Sequence, residues 1–122
     1  MSRDFSIAVI DDDESFRLAL IAFLGSLGYG ARGFACAEEF LAGDGQGISD
    51  CVITDLHMPG MSGLDLIRKL TVQASTLPVI MVTGRPEVGL EAKATAGGAV
   101  CLLRKPFETD VLIGCLEKAL KI

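Results

Sequence analysis

Hydrophobic residues fall into two alternating rhythms along the chain. Short, unbroken apolar runs occur at FSIAVI (5–10), CVITDL (51–56), LPVIMVTG (77–84) and AVCLLRKPF (99–107). Each is short and bounded by polar or turn residues, as a strand buried on both faces should be. YGARGFA (29–35) is a weaker, glycine-bearing strand. Between these runs the spacing becomes helical. ESFRLALIAFLGSLG (14–28) sets Phe16, Leu20, Phe23, Leu24 and Leu27 on one side, with Gly28 to end it. AEEFLAG (37–43) predicts a short helix ending at Gly43. SGLDLIRKL (62–70) groups Leu64, Ile67 and Leu70. PEVGLEAKATAGG (86–98) predicts a helix weakened by Gly89. ETDVLIGCLEKALKI (108–122) turns Val111, Leu112, Cys115, Leu116, Ala119 and Leu120 inward. The glycines and aspartates of GDGQGISD (43–50) predict a loop. Pro78 cannot donate to a ladder, so it belongs at the start of its strand, and Pro106 stops the fifth.

Five strands alternate with five helices, joined by short connections. Apolar strands in that order pair in parallel, with right-handed crossovers and helices on both faces. The expected fold is α/β, an open doubly wound sheet whose ligands bind beyond the carboxyl ends of its strands. No repeat or linker divides the chain, so residues 1–122 read as one domain.

Composition narrows the function. The formal net charge is −5, with nothing resembling a basic patch, so direct nucleic-acid binding is not expected. No apolar run reaches the ~18 residues that span a bilayer. The acidic start, MSRDFSIAVIDDD, lacks a cleavage site, and a cytoplasmic location is expected. Cys36, Cys51, Cys101 and Cys115 are widely spaced and accompany a single histidine, His57. That is the pattern of small buried hydrophobes in a reducing compartment, not of a zinc site.

The strand ends carry the chemistry. The first strand runs into Asp11, Asp12 and Asp13, the third into Asp55, the fourth into Thr83 and Gly84, and the fifth into Lys105. In a parallel sheet these ends share one edge. Crowded carboxylates repel unless a cation intervenes, and Mg2+ favours such oxygen ligands together with phosphate oxygens. A lysine adds a mobile positive charge and a threonine a hydroxyl. Together they suit a phosphoryl group in transit. Each residue alone has a blander role: Asp13 as a helix cap, Lys105 as a surface charge, Thr83 as a strand former.

The motifs VIDDDE (9–14), TDLHMPGMSG (54–63), VTG (82–84) and RKPF (104–107) occur in order and together. With them the chain resembles, along essentially its whole length, the receiver domain of two-component response regulators. EEFLAG and KPFE most resemble the FixJ/NarL type, whose members carry a DNA-binding helix-turn-helix after the receiver. The resemblance implies a CheY-like (βα)5 fold with strand order 2-1-3-4-5. It implies Asp55 as phosphoacceptor from a sensor histidine kinase or phosphotransfer protein. Mg2+, replaceable by Mn2+, would be held by Asp12, Asp55 and the backbone carbonyl of His57, with Asp11 acting partly through water. Thr83 would move to hydrogen-bond the phosphoryl group and Lys105 would ion-pair with it. The Lys105–Pro106 bond would be cis, and Pro59 and Gly63 match the loop after the acceptor.

The resemblance also implies a switch rather than an enzyme, one that assists its own phosphorylation and dephosphorylation. Many receivers carry an aromatic residue where this chain has Leu102, a second switch position. The soft helix 86–98 is therefore expected to carry more of the change. The 86–120 face would meet a partner, an output domain or a second copy of the chain. The His57 ring is expected in solvent and Arg85 at the mouth of the site, both tuning access of water. Two alternatives remain: a docking module of the same fold that works without phosphorylation, and a flavodoxin-like cofactor binder. The first would usually lack an acid or the lysine, and the second needs phosphate-binding donors where DDDE offers negative charge.

Overall fold

Each apolar run becomes a strand of one parallel sheet in the computed structural model, which describes residues 5–85 and 87–122. The strands are β1 Ser6–Ile10, β2 Gly30–Phe34, β3 Cys51–Asp55, β4 Val79–Thr83 and β5 Cys101–Arg104. Their order is β2-β1-β3-β4-β5. The helices are α1 Glu14–Ser26, α2 Ala37–Ala42, α3 Gly45–Ile48, α4 Gly63–Val72, α5 Leu90–Ala96 and α6 Thr109–Leu120. β3 and β4 are buried at every position, so both of their faces are covered.

The alternation of side chains divides the core in two. Ile7, Val9, Ile53, Ile80, Val82 and Leu103 face α1 and α6, where Leu20, Leu24, Leu112 and Leu116 meet them. Ala8, Ile10, Val52, Val79 and Met81 face α2, α4 and α5. That second layer is closed by Phe40, Leu66, Ile67, Leu70, Leu90 and Ala94.

Local chemistry sets the helix ends. Asp13 caps α1 by accepting the Phe16 amide at 3.1 Å. Gly28, at φ +94°, closes α1 while the Tyr29 amide returns to the Leu24 carbonyl, a Schellman ending that glycine makes accessible. Ser62 and Asp65 exchange hydrogen bonds at the start of α4, each at 3.1 Å. That reciprocal cap holds the Asp65 carboxyl below its ordinary range, chiefly through the Ser62 amide.

The structure departs from the sequence expectation in several places. The 43–50 stretch contains the one-turn helix α3, because buried Gly45 lets the chain settle against the rings of Phe40 and Phe34. A Cβ at Gly45 would lie 2.8 Å from Phe40 Cδ1. The fifth helix begins at Leu90, because Gly89 takes a left-handed conformation (φ +81°) as its N-cap instead of sitting inside it. Pro86, expected to open that helix, lies outside the described residues. Val111 is half exposed rather than inward, and Leu27 lies at the surface where α1 has already ended. Cys51 and Cys115 are buried as expected, but Cys36 and Cys101 are only partly so. No helix among the described residues is long and apolar enough to cross a membrane.

Candidate functional site

The carboxyl ends of β1, β3, β4 and β5 converge on a single edge of the sheet. Asp11 follows β1 and is buried, whereas Asp12 is exposed. Asp55 ends β3 and is 9% exposed. Each of these three acids offers a carboxylate oxygen, and the three oxygens lie within 4.8 Å of one another. An all-oxygen set of that density fits a hard divalent cation such as Mg2+.

Lys105 sits one residue beyond β5, across a cis bond to Pro106. Its Nζ donates to Asp11 Oδ2 at 2.9 Å and lies 3.9 Å from Asp55 Oδ2. The lysine thus rests mainly on Asp11 and stands beside Asp55. Its Nζ also lies 4.0 Å from the centroid of the Phe16 ring, whose quadrupole attracts the cation. Phe16 is in turn edge-on to Phe107, two residues after Lys105. Asp11 is fixed further: its Oδ1 accepts the Asp13 amide at 2.9 Å, and its carbonyl accepts Arg17 Nη1 at 2.7 Å.

Asp55 Oδ1 accepts the His57 amide at 3.2 Å. Burial and the nearby Asp11 carboxylate push the Asp55 carboxyl above its ordinary value, while Lys105 and the His57 amide pull it back. An acid whose folded pKa is raised destabilises the folded state at higher pH, and the penalty fades as pH falls through that raised value. The metal-free Asp55→Asn variant should therefore melt above the wild type at pH 7. The gain should vanish below about pH 3.8, the ordinary carboxyl value, where both states are protonated. Thermal melts across that range in EDTA measure it, and a gain that persists at low pH would refute the electrostatic account.

The loop after Asp55 is anchored from both sides. Gly63 packs directly on β3, since a Cβ there would lie 2.8 Å from the Asp55 carbonyl oxygen and 3.1 Å from Leu56 Cα. The Met61 amide donates to Glu38 Oε2 of α2 at 3.2 Å. Beside the acids opens a cavity of about 470 Å3 lined by Asp12, Leu56, His57, Met58, Pro59, Ser62 and Arg85.

Thr83 closes β4, and its side chain is buried. Its Oγ1 accepts the Arg85 amide at 3.0 Å and meets His57 Nδ1 at 3.2 Å. The other ring nitrogen of His57, Nε2, lies 3.3 Å from Glu87 Oε1. The ring therefore does not stand in solvent as expected; a buried hydroxyl on one side and a carboxylate on the other hold it. Leu102 is partly buried and packs on the α4/α5 layer.

Asp11, Asp12, Asp55, Thr83, Lys105 and the His57 backbone thus come to one edge of the sheet. Four contributors escaped the sequence reading: Phe16, Arg17, Glu38 and Glu87. Phe16 carried a signal, its helical spacing, but one that pointed only to the core.

Comparison with known proteins agrees with this geometry. Residues 7–117 match the family model of the response regulator receiver domain. The chain is 38% identical to the transcriptional regulatory protein FixJ of Bradyrhizobium diazoefficiens, over 99% of this chain and 59% of that protein. It is 36% identical to the response regulator protein TmoT of Ectopseudomonas mendocina, over 95% of this chain and 53% of that one. It therefore spans little more than half the length of these relatives. Among solved structures, the crystal structure of FixJ-N superposes with a TM-score of 0.88 at 34% identity, covering 98% of this chain and 95% of that one. Vibrio cholerae chemotaxis protein CheY4 superposes at 0.85 with 27% identity, covering 97% and 100%. Sheet order, motif positions and matched family model agree: the chain belongs to the receiver domain family of two-component response regulators.

Proposed function

We propose that this chain is a phosphoacceptor switch that takes a phosphoryl group from the phosphohistidine of a sensor histidine kinase or phosphotransfer protein onto Asp55. The observation that carries the reading is the placement of the Asp55 carboxylate. It shares a cation-sized space with Asp11 and Asp12, and Lys105 Nζ stands 3.9 Å away. An Asp55 oxygen attacks phosphorus, the P–N bond breaks, and the departing imidazole keeps the electron pair and takes up a proton. The product is an aspartyl phosphate.

Asp11, Asp12, Asp55 and the His57 carbonyl would hold Mg2+ or Mn2+. Such an ion, when bound, offsets the negative charge gathered around the transferring group. Lys105 is already poised between Asp11 and Asp55, so it meets a phosphoryl oxygen with little movement. Thr83 donates its hydroxyl to the phosphoryl group and Leu102 fills the space behind it. The response reaches the face formed by α5, β5 and α6, where a partner, an output domain or a second copy docks. The chain acts as a switch rather than an enzyme with turnover on a separate substrate, and as one domain in the cytoplasm. FixJ is named a transcriptional regulatory protein, and this chain matches 59% of its length.

A docking module that works without phosphorylation finds no support in a site that keeps three acids and the lysine together. Intact-mass measurement with Mg2+ and acetyl phosphate tests the reading. A gain of ~80 Da, one phosphoryl group, is expected, and it should disappear in EDTA. An unchanged mass with donor and magnesium present would overturn it.

A further inference from the structure

We infer that His57 is a positioning residue: its ring holds the Thr83 hydroxyl away from the acceptor in the resting protein, and Glu87 fixes the ring for that task. The inference rests on the phosphoacceptor reading above and deepens it.

A threonine hydroxyl has one proton to donate. At Thr83 the Arg85 amide already occupies one lone pair at 3.0 Å. Glu87 Oε1 lies 3.3 Å from Nε2 of His57 and favours the tautomer that carries its proton on Nε2. In that tautomer Nδ1 carries the lone pair, 3.2 Å from Thr83 Oγ1, and accepts the hydroxyl proton. The Arg85 carbonyl, at 3.4 Å, is the weaker alternative acceptor.

Donation to a phosphoryl oxygen must first break the bond to His57. The ring then loses a partner and Glu87 loses the ring's fixed position. Glu87 lies two residues before Gly89, the left-handed N-cap of α5. Arrival of the phosphoryl group is thereby coupled to the start of α5 through a histidine that changes partners. The latch opposes phosphorylation by the worth of one hydrogen bond.

The test uses beryllofluoride, a phosphoryl mimic, with Mg2+ and the whole chain. His57→Ala should bind it about 2- to 12-fold more tightly than the wild type, the range set by one net hydrogen bond. In a Thr83→Ala background the same change should have no effect, because the group it restrains is gone. Glu87→Ala should tighten binding less, in the same direction. His57→Gln, which retains an acceptor, should return affinity towards wild type.

A metal-free readout stands beside these. Nitrogen NMR of the imidazole should show Nε2 protonated and Nδ1 bare, and Thr83→Ala should shift the Nδ1 resonance. Unchanged or weaker binding in His57→Ala, equal tightening without Thr83, or an unmoved Nδ1 resonance would each overturn the inference. Absence of beryllofluoride binding by the wild type would instead overturn the phosphoacceptor reading together with it.

Discussion

Gly63→Val should destabilise the protein by about 2 kcal/mol, the middle of the range for overpacking a closely fitted site. Two effects compete. Glycine costs a helix roughly 0.5–1 kcal/mol relative to alanine, so any side chain at this first position of α4 recovers part of that. Against it stands contact with backbone: a Cβ would meet the Asp55 carbonyl oxygen at 2.8 Å and Leu56 Cα at 3.1 Å, neither able to rotate away. The branched γ-carbons of valine add to the crowding, so the clash wins. Gly63→Ala, with only the Cβ, should lose less. Urea midpoints of both variants measure the ranking. Valine as stable as wild type would show that α4 slides off β3 freely. Because the displaced carbonyl belongs to Asp55, the valine variant should also take up phosphoryl groups more slowly than its loss of stability explains.

Asp55→Ala should lower phosphoryl uptake at least about 100-fold, the scale on which misplaced reacting groups fail. The rival acceptor is Asp12, which is exposed and shares the oxygen cluster. Exposure does not make it equivalent. Asp55 has Lys105 at 3.9 Å and its own loop amide, that of His57, at 3.2 Å on its carboxylate. Lys105 rests on Asp11, which is buried and closed off by the Asp13 amide and the lysine itself. Intact mass after incubation with acetyl phosphate and Mg2+, followed by peptide mapping, separates the candidates. Label recovered on the Asp11–Asp13 peptide at wild-type rate would remove Asp55 from its role.

The parts of the molecule that could be foreseen are those governed by near neighbours. Ile53 and Asp55 belong to a run whose apolar pattern fixes a buried strand, and a parallel sheet then carries Asp11, Asp55, Thr83 and Lys105 to one edge with no further information. The cap at Asp13 and the ending at Gly28 follow from three or four adjacent residues. What escaped notice depends on pairings across the chain. Lys105 and Asp11 are 94 residues apart, His57 and Thr83 26, and Glu38 and Met61 23. Nothing local to His57 marks its ring as held at both nitrogens, and nothing local to Phe16 distinguishes a face for a lysine from a place in the core. The glycines misled in opposite ways. Gly45 signalled a loop but permits a helical turn under Phe40, while Gly89 signalled a weak helix interior but begins the helix.

The division of the core into two layers has a consequence for how this molecule communicates. By the alternation along β3 and β4, Asp55 shares the side of Ile53, towards α1 and α6, whereas Thr83 shares the side of Met81, towards α5. The residue that would be altered and the residue that would answer it therefore root in different layers of the core, although both end at the same edge of the sheet. An event at that edge therefore bears on both packed layers of this small body at once.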